Sequence, residues 1–96
     1  MSSKYTKDLT SILEMLWNIE KDLNIVSYSE TEKKIYHIIA WQISNYGSCN
    51  ITDVIKNSGF SRSTVYKTIK KFEKANLVFI KQSQGDKREF NLVLAH

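Results

Sequence analysis

Two apolar patterns of helical period, with a single glycine between them, run over 52–58 and 61–75. The break falls at Gly59, and Ser61 offers an N-cap for the second pattern. Two helices joined by a tight turn that contains glycine form a helix-turn-helix. The apolar side chains of this unit are Val54, Ile55, Val65, Ile69 and Phe72.

After these helices the apolar period changes from helical to extended. Residues 77–82 are rich in Val, Phe and Ile, and 88–94 alternate so that Phe90, Leu92 and Leu94 lie on one side. The polar residues between the two runs predict a turn, and therefore a hairpin. The expected fold class is mainly α with a small β-hairpin: a winged helix-turn-helix with an extra N-terminal dimerisation helix.

A further helix is marked by signals at both of its ends. Ser29, followed three residues later by Glu32, forms a capping box that satisfies two otherwise unpaired amides. The helix should end near Tyr46 and Gly47, because glycine can adopt the left-handed conformation that closes a helix. We interpret this helix as scaffold. Its buried face is expected to carry Ile35, Ile38, Ile39 and Ile43.

The extra helix is predicted over 5–26, where apolar residues follow a heptad. Its apolar surface is wider than one neighbouring helix would cover, so we expect burial against a second subunit. The alternative is an amphipathic helix that folds back on its own domain. We divide the chain into an N-terminal dimerisation segment, 1–27, and a winged helix-turn-helix domain, 28–96. The residues expected at the dimer contact are Leu9, Ile12, Leu13, Leu16, Trp17, Ile19 and Leu23.

The net charge of +4 is concentrated in the second half of the chain. Residues 1–50 hold five lysines against six acidic residues, whereas 51–96 hold nine lysines and arginines against four acidic residues. A basic region within a small domain indicates a polyanionic partner, although a solvated lysine-rich face has the same composition.

The helix predicted over 61–75 carries a basic, hydroxyl-rich face opposite its apolar one. Its first turn can present Arg62 to a guanine edge through two hydrogen bonds, and Lys67 and Lys70 can neutralise the DNA backbone. At the hairpin tip, Arg88 could enter a narrow minor groove, with Asp86 either holding it by a hydrogen bond or serving as a plain turn residue. The residues expected to contact DNA are Ser61, Arg62, Ser63, Thr64, Tyr66, Lys67, Lys70, Lys87 and Arg88.

The stretch 51–94 resembles the DNA-binding lobe of the MarR family of transcription regulators. The residues that carry the resemblance are Ser61, Arg62, Ser63, Thr64 and Val65, and in the wing Asp86, Lys87 and Arg88 followed by Phe90, Leu92 and Leu94. The resemblance implies a symmetric dimer on a pseudopalindromic operator, with recognition helices in major grooves and the wing arginine at the minor groove.

The chain differs from that family in ending at His96, where such proteins usually continue into C-terminal helices that build the dimer. The heptad helix is therefore expected to form the dimer, and no small-molecule effector is predicted. The predicted function is sequence-specific binding of double-stranded DNA by a homodimer that represses transcription. The alternative is a winged-helix adaptor that binds proteins and has no affinity for DNA.

Other classes of protein find little support in the sequence. No glycine-rich phosphate loop or zinc spacing occurs, so neither catalysis nor a cofactor or metal is predicted. His37 is interpreted as a polar helix-surface residue. Cys49, the only cysteine, is interpreted as a small buried hydrophobe, with a redox switch as the alternative. No secretory or membrane-spanning segment is predicted, and a single cysteine fits a reduced, cytoplasmic location.

Overall fold

The helices and strands follow the predicted order in the computed structural model, which describes residues 3–82, 85 and 90–95. The fold is a winged helix-turn-helix preceded by an additional helix, as the sequence predicts. The described elements are α1 (Ser3–Asp22), α2 (Glu30–Tyr46), β1 (Cys49–Asn50), α3 (Ile51–Ser58), α4 (Arg62–Lys74), β2 (Val78–Gln82) and β3 (Phe90–Leu94).

The sheet contains one strand that the sequence did not predict. β3 lies in the middle of an antiparallel sheet, between β2 and the two-residue strand β1. Cys49 pairs with Leu92 across this sheet, and Ile80 pairs with the same leucine from the other side. A strand of two residues is too short to show any alternation, so the periodicity on which strand prediction rests is absent from β1.

Both ends of α2 confirm the capping signals in the sequence. The Ser29 amide donates to Glu32 Oε1 at 2.8 Å, and the Glu32 amide donates to Ser29 Oγ at 3.1 Å. At the other end Gly47 adopts a φ of +76° and donates its amide to the Ile43 carbonyl at 2.8 Å. These local bonds satisfy amides and carbonyls that a helix terminus otherwise leaves unpaired.

α1 ends at Asp22, four residues before the predicted boundary at 26. Asn24 takes a left-handed φ of +63°, which lets the Ile25 amide donate to the Glu20 carbonyl at 2.9 Å. This pairing closes the helix and delivers the Ile25 side chain into the core, where it is 1% exposed. The heptad pattern extends past this point through Leu23, which is half-buried, and Val26, which is exposed.

The core is built around Phe72, which is fully buried. Its ring stacks on Tyr28 at a centroid distance of 5.9 Å and meets the edge of Tyr36 at 5.7 Å. The predicted core faces of α3 and α4 are confirmed at Val54, Val65 and Ile69, whereas Ile55 is half-buried. In α2 the buried face is rotated from the predicted one. It contains Ile35, Tyr36, Ile39 and Gln42, while Ile38 and Ile43 are half-buried.

α1 shares very little of its surface with the rest of the chain. Glu20 is its only buried residue, and the molecule measures 54 × 24 × 24 Å. None of the helices within the described ranges is long and apolar enough to cross a membrane.

Candidate nucleic-acid interface

The first turn of α4 is fixed by a hydroxyl cap. Ser61 Oγ accepts the Thr64 amide at 3.2 Å and donates to Thr64 Oγ1 at 2.9 Å. Ser61 and Thr64 therefore hold the helix end in place, and their hydroxyls are engaged before any ligand arrives. Arg62 lies on the exposed first turn and can reach outward, whereas the exposed Ser63 hydroxyl lies 3.2 Å from Ser61 Oγ, at hydrogen-bond distance.

One exposed side of α4, hereafter the basic face, runs the length of the helix. It is formed by Arg62, Ser63, Lys67, Lys70 and Lys74, which are all exposed. The helical period brings 63, 67, 70 and 74 together along one side, while the apolar residues point the other way. Four of the five side chains are cationic, and the fifth is a hydroxyl, so the basic face favours an anionic, hydrogen-bonding partner.

A groove of about 480 Å³ lies against this face, lined by Tyr66 and the four lysines 67, 70, 71 and 74. Tyr66 is half-buried and packs against the core, so its ring forms part of the groove wall. Sequence reasoning had not singled out Lys71 or Lys74. Lys74 could have been found, because it lies one turn beyond Lys70 on the same stripe.

Lys71 has a different role from its neighbours. Its Nζ atom lies 2.9 Å from Glu32 Oε2 and 4.5 Å from the centre of the Tyr28 ring. The hydrogen bond from Lys71, followed by the one from the Ser29 amide, lowers the pKa of Glu32. Lys71 thus forms an ion pair between α4 and the N-terminus of α2.

The predicted wing contacts cannot be placed on this surface. Asp86, Lys87 and Arg88 lie outside the described residues, so their roles in DNA binding stay predictions. The strands that lead to them, β2 and β3, are paired from Val78 opposite Leu94 to Gln82 opposite Phe90.

The predicted dimer contact is exposed along α1. Its members other than Leu23 are between 36% and 61% exposed. Leu23 differs, because it lies beyond the end of α1 and packs half-buried against the core of its own domain. Its place at the dimer contact stays a prediction. The apolar face of α1 consists of Leu9, Ile12, Leu13, Leu16, Trp17 and Ile19.

A buried acid, which the sequence did not reveal, joins α1 to α2. Glu20 is 6% exposed, and its Oε1 atom lies 3.3 Å from Lys33 Nζ. Its Oε2 atom lies 3.9 Å from Nε2 of His37, an exposed helix-surface residue as predicted. A glutamate in an amphipathic helix normally marks a solvent-exposed position, so only the tertiary structure identifies this contact.

Cys49 is buried in the core, at 1% exposure. Burial, followed by the charge of Asp53, raises the pKa of its thiol to about 12. The thiolate is the reactive form of cysteine, so this environment opposes the redox switch and favours the buried-hydrophobe interpretation. Within the described residues, no group of three or more His, Cys, Asp or Glu side chains could hold a metal ion.

Comparison with known proteins agrees with this architecture. The sequence model of the MarR family matches residues 36–90. The fold resembles a MarR protein from Peptoclostridium difficile with a TM-score of 0.59 at 20% identity, over 98% of this chain and 60% of the other. It also resembles the M. tuberculosis transcriptional regulator MOSR, solved in complex with DNA, with a TM-score of 0.58 at 14% identity, over 98% and 63% of the two chains.

A third similar structure is the heme sensor protein PefR from Streptococcus agalactiae, solved in complex with heme. The TM-score is 0.63 at 20% identity, over all of this chain and 66% of PefR. The chain thus spans between 60% and 66% of these three proteins. At these identities the likeness concerns the fold. No curated protein matches the chain in sequence.

Proposed function

The chain belongs to the MarR family, and from that premise we propose that it regulates transcription by sequence-specific binding of double-stranded DNA as a homodimer. The observation that carries the proposal is the basic face of α4. Five exposed cationic and hydroxyl side chains lie along the second helix of a helix-turn-helix, the element that enters the major groove in proteins of this architecture. The DNA complex of MOSR, which shares the fold, supports the same partner.

Arg62 contacts a base in this proposal, whereas the lysines contact phosphates. Arg62, exposed on the first turn, has a planar guanidinium that can donate two hydrogen bonds to a guanine. Lys67, Lys70 and Lys74 continue along the basic face and neutralise phosphates, which adds affinity without reading sequence. The predicted wing residues Lys87 and Arg88 would add contacts beside the major groove.

The apolar face of α1 is the proposed dimer contact. Two copies joined through this face would each present an α4, so the operator would be pseudopalindromic, with half-sites about one helical turn apart. Occupation of a promoter by such a dimer represses transcription by excluding polymerase. The cytoplasmic location expected from the single cysteine belongs to the same proposal. PefR takes heme, but for this chain the absence of an effector stays a prediction.

Selection of bound sequences from a random duplex pool tests this proposal. We expect one enriched pseudopalindrome, bound far more tightly than random duplex, and a dimeric mass in light scattering. Arg62→Ala should relax the sequence preference, and Arg62→Lys should not restore it because an ammonium cannot form the two-pronged contact. Lys7→Ala, an equal loss of charge on the exposed side of α1, is the control. Absence of any duplex affinity would favour the protein-binding adaptor instead.

A further inference from the structure

An exposed groove runs along α2, from the end of α1 to the C-terminal end of α2. It consists of two adjoining pockets, one of about 440 Å³ beside α1 and one of about 550 Å³ between α2 and α3. Lys34 and His37 line both pockets, so the surface is continuous. Glu20 of α1 lines the first pocket, and Trp41 and Tyr46 line the second. We call this surface the α2 groove.

Two aromatic side chains form the most exposed part of the α2 groove. Trp41 and Tyr46 are 55% and 70% exposed, and their rings meet edge to face at a centroid distance of 5.6 Å. Tryptophan and tyrosine are enriched at the centres of protein interfaces, where their burial supplies much of the binding free energy. Two such rings side by side therefore favour an interaction with another protein surface.

The apolar face of α1 alone offers less surface than a stable dimer normally buries. Its six residues are between 36% and 61% exposed, and together they offer roughly 300–500 Å². A stable interface takes about 800 Å² from each partner. Trp41 and Tyr46 would add roughly 200–300 Å². The two surfaces together therefore approach the area that a second copy of this chain would need to cover.

The direction in which two copies of α1 pair decides whether the partner reaches the α2 groove. α1 has 20 residues, which corresponds to a length of about 30 Å. Near its C-terminal end, Glu20 faces Lys33 and His37 of α2. In an antiparallel pair, residues 5–8 of the partner lie beside residues 17–20, next to the groove. In a parallel pair the same residues lie about 18 Å away along the helix axis.

The charges also favour the antiparallel arrangement. The apolar residues of α1 cover roughly 200° of its circumference, and the charged residues within this arc are the acids Asp8 and Glu20. Glu20 is met by α2 of its own chain, whereas Asp8 has no ion pair or hydrogen bond within the described residues. Lys34 in the groove contacts the Phe60 ring at 5.4 Å, and no described carboxylate pairs with it, although Glu30 lines the same pocket.

We propose that two copies of this chain pair α1 in an antiparallel manner, so that the N-terminal half of the partner's α1 packs along the α2 groove. The partner's Tyr5 covers Trp41, and the partner's Asp8 lies beside Lys34. Symmetry repeats both contacts. This inference rests on the homodimer of the proposed function. Because α2 belongs to the winged helix-turn-helix domain, the contact would also fix the spacing between the two recognition helices.

A first test measures the dimer dissociation constant of the full chain by sedimentation equilibrium. We expect Trp41→Ala to raise this constant at least tenfold, because an aromatic residue at the centre of an interface is lost from two symmetric contacts. Phe79→Ala is the matched control, since Phe79 is an exposed aromatic residue of β2, and it should leave the constant unchanged. Thermal unfolding shows whether each variant keeps its fold.

A second test reverses the charges of the proposed ion pair. Asp8→Lys and Lys34→Asp should each weaken the dimer severalfold, and the double variant should recover wild-type affinity because the pair is restored with opposite signs. Glu14→Lys, which lies outside the apolar arc, is the control and should not compensate Lys34→Asp.

Wild-type affinity in Trp41→Ala, or a double variant no tighter than the single ones, would overturn the inference. The proposed function would then stand on a dimer joined by the apolar face of α1 alone. A wild-type chain that stays monomeric at every concentration would overturn the inference together with the proposed homodimer.

Discussion

Replacement of Lys70 by alanine should change the salt dependence of DNA binding by a calculable amount. Lys70 is exposed on the basic face, and within the described residues its ammonium takes part in no ion pair or ring contact. It is therefore free to neutralise a phosphate, and each neutralised phosphate releases condensed counterions. The slope of log K against log salt is about −0.9 for each phosphate contact on duplex DNA.

A dimer contributes Lys70 twice, so Lys70→Ala should make the slope less steep by about 1.8. When salt rises from 50 to 200 mM, a slope change of that size lowers the ratio of the wild-type binding constant to that of the variant roughly twelvefold. The phosphate contacts of Lys67, Lys70 and Lys74 together would give a wild-type slope of about −5 for the dimer, before any contribution from the wing.

Fluorescence anisotropy of a labelled duplex over a series of salt concentrations measures both slopes. The preference for the selected site over random duplex should stay unchanged in Lys70→Ala, because phosphate contacts carry no sequence information. Lys7→Ala serves as the control for a charge removed elsewhere. Equal slopes for Lys70→Ala and the wild type would refute the placement of the basic face against DNA, and so would an equal effect of Lys7→Ala.

Four further predictions concern assembly, stability and reactivity. Ile12→Asp should give a folded monomer in light scattering, and a dimer of unchanged stability would contradict the α1 contact. Phe72→Ala should lower the free energy of unfolding in urea by about 3–5 kcal/mol, whereas Phe79→Ala, at an exposed position, should cost under about 1 kcal/mol. The stabilisation from Glu32 is present above its unfolded-state pKa and is lost as pH falls through the lower folded-state value, so Glu32→Gln should flatten the acid limb of a stability profile. Cys49 should resist a thiol reagent at pH 8 in the native protein and react after unfolding, while rapid native labelling would contradict its burial.

Features encoded by neighbouring residues were predictable from the sequence. The α2 capping box lies within four residues, and the breaks at Gly47 and Gly59 coincide with φ values of +76° and +75°. The order of the helices and the hairpin follows from the spacing of apolar residues, which is visible within a short stretch of sequence. These features could be predicted because they depend only on local hydrogen bonds and on one apolar stripe of each helix.

Features that depend on distant residues were missed. The strand β1 exists because Leu92 and Asn91 lie opposite it, and two residues cannot show that in advance. Glu20 is buried because Lys33 and His37 of the next helix lie beside it. A charged side chain at a helical position normally indicates solvent, so no pattern within α1 could distinguish this acid from its exposed neighbours.

α4 shows why a two-sided view of a helix is insufficient for assigning function. Its apolar side enters the core and its basic face meets solvent, and the sequence period identifies both. A third stripe, formed by Thr64, Thr68 and Lys71, faces the N-terminus of α2. Threonine and lysine usually lie at solvent-exposed positions, so the sequence gives no sign of this contact. This stripe forms the Lys71–Glu32 ion pair with α2, and it lies beside the first turn of α4, where Arg62 is proposed to contact a base. Substitutions there should alter DNA affinity while every base-reading residue stays in place.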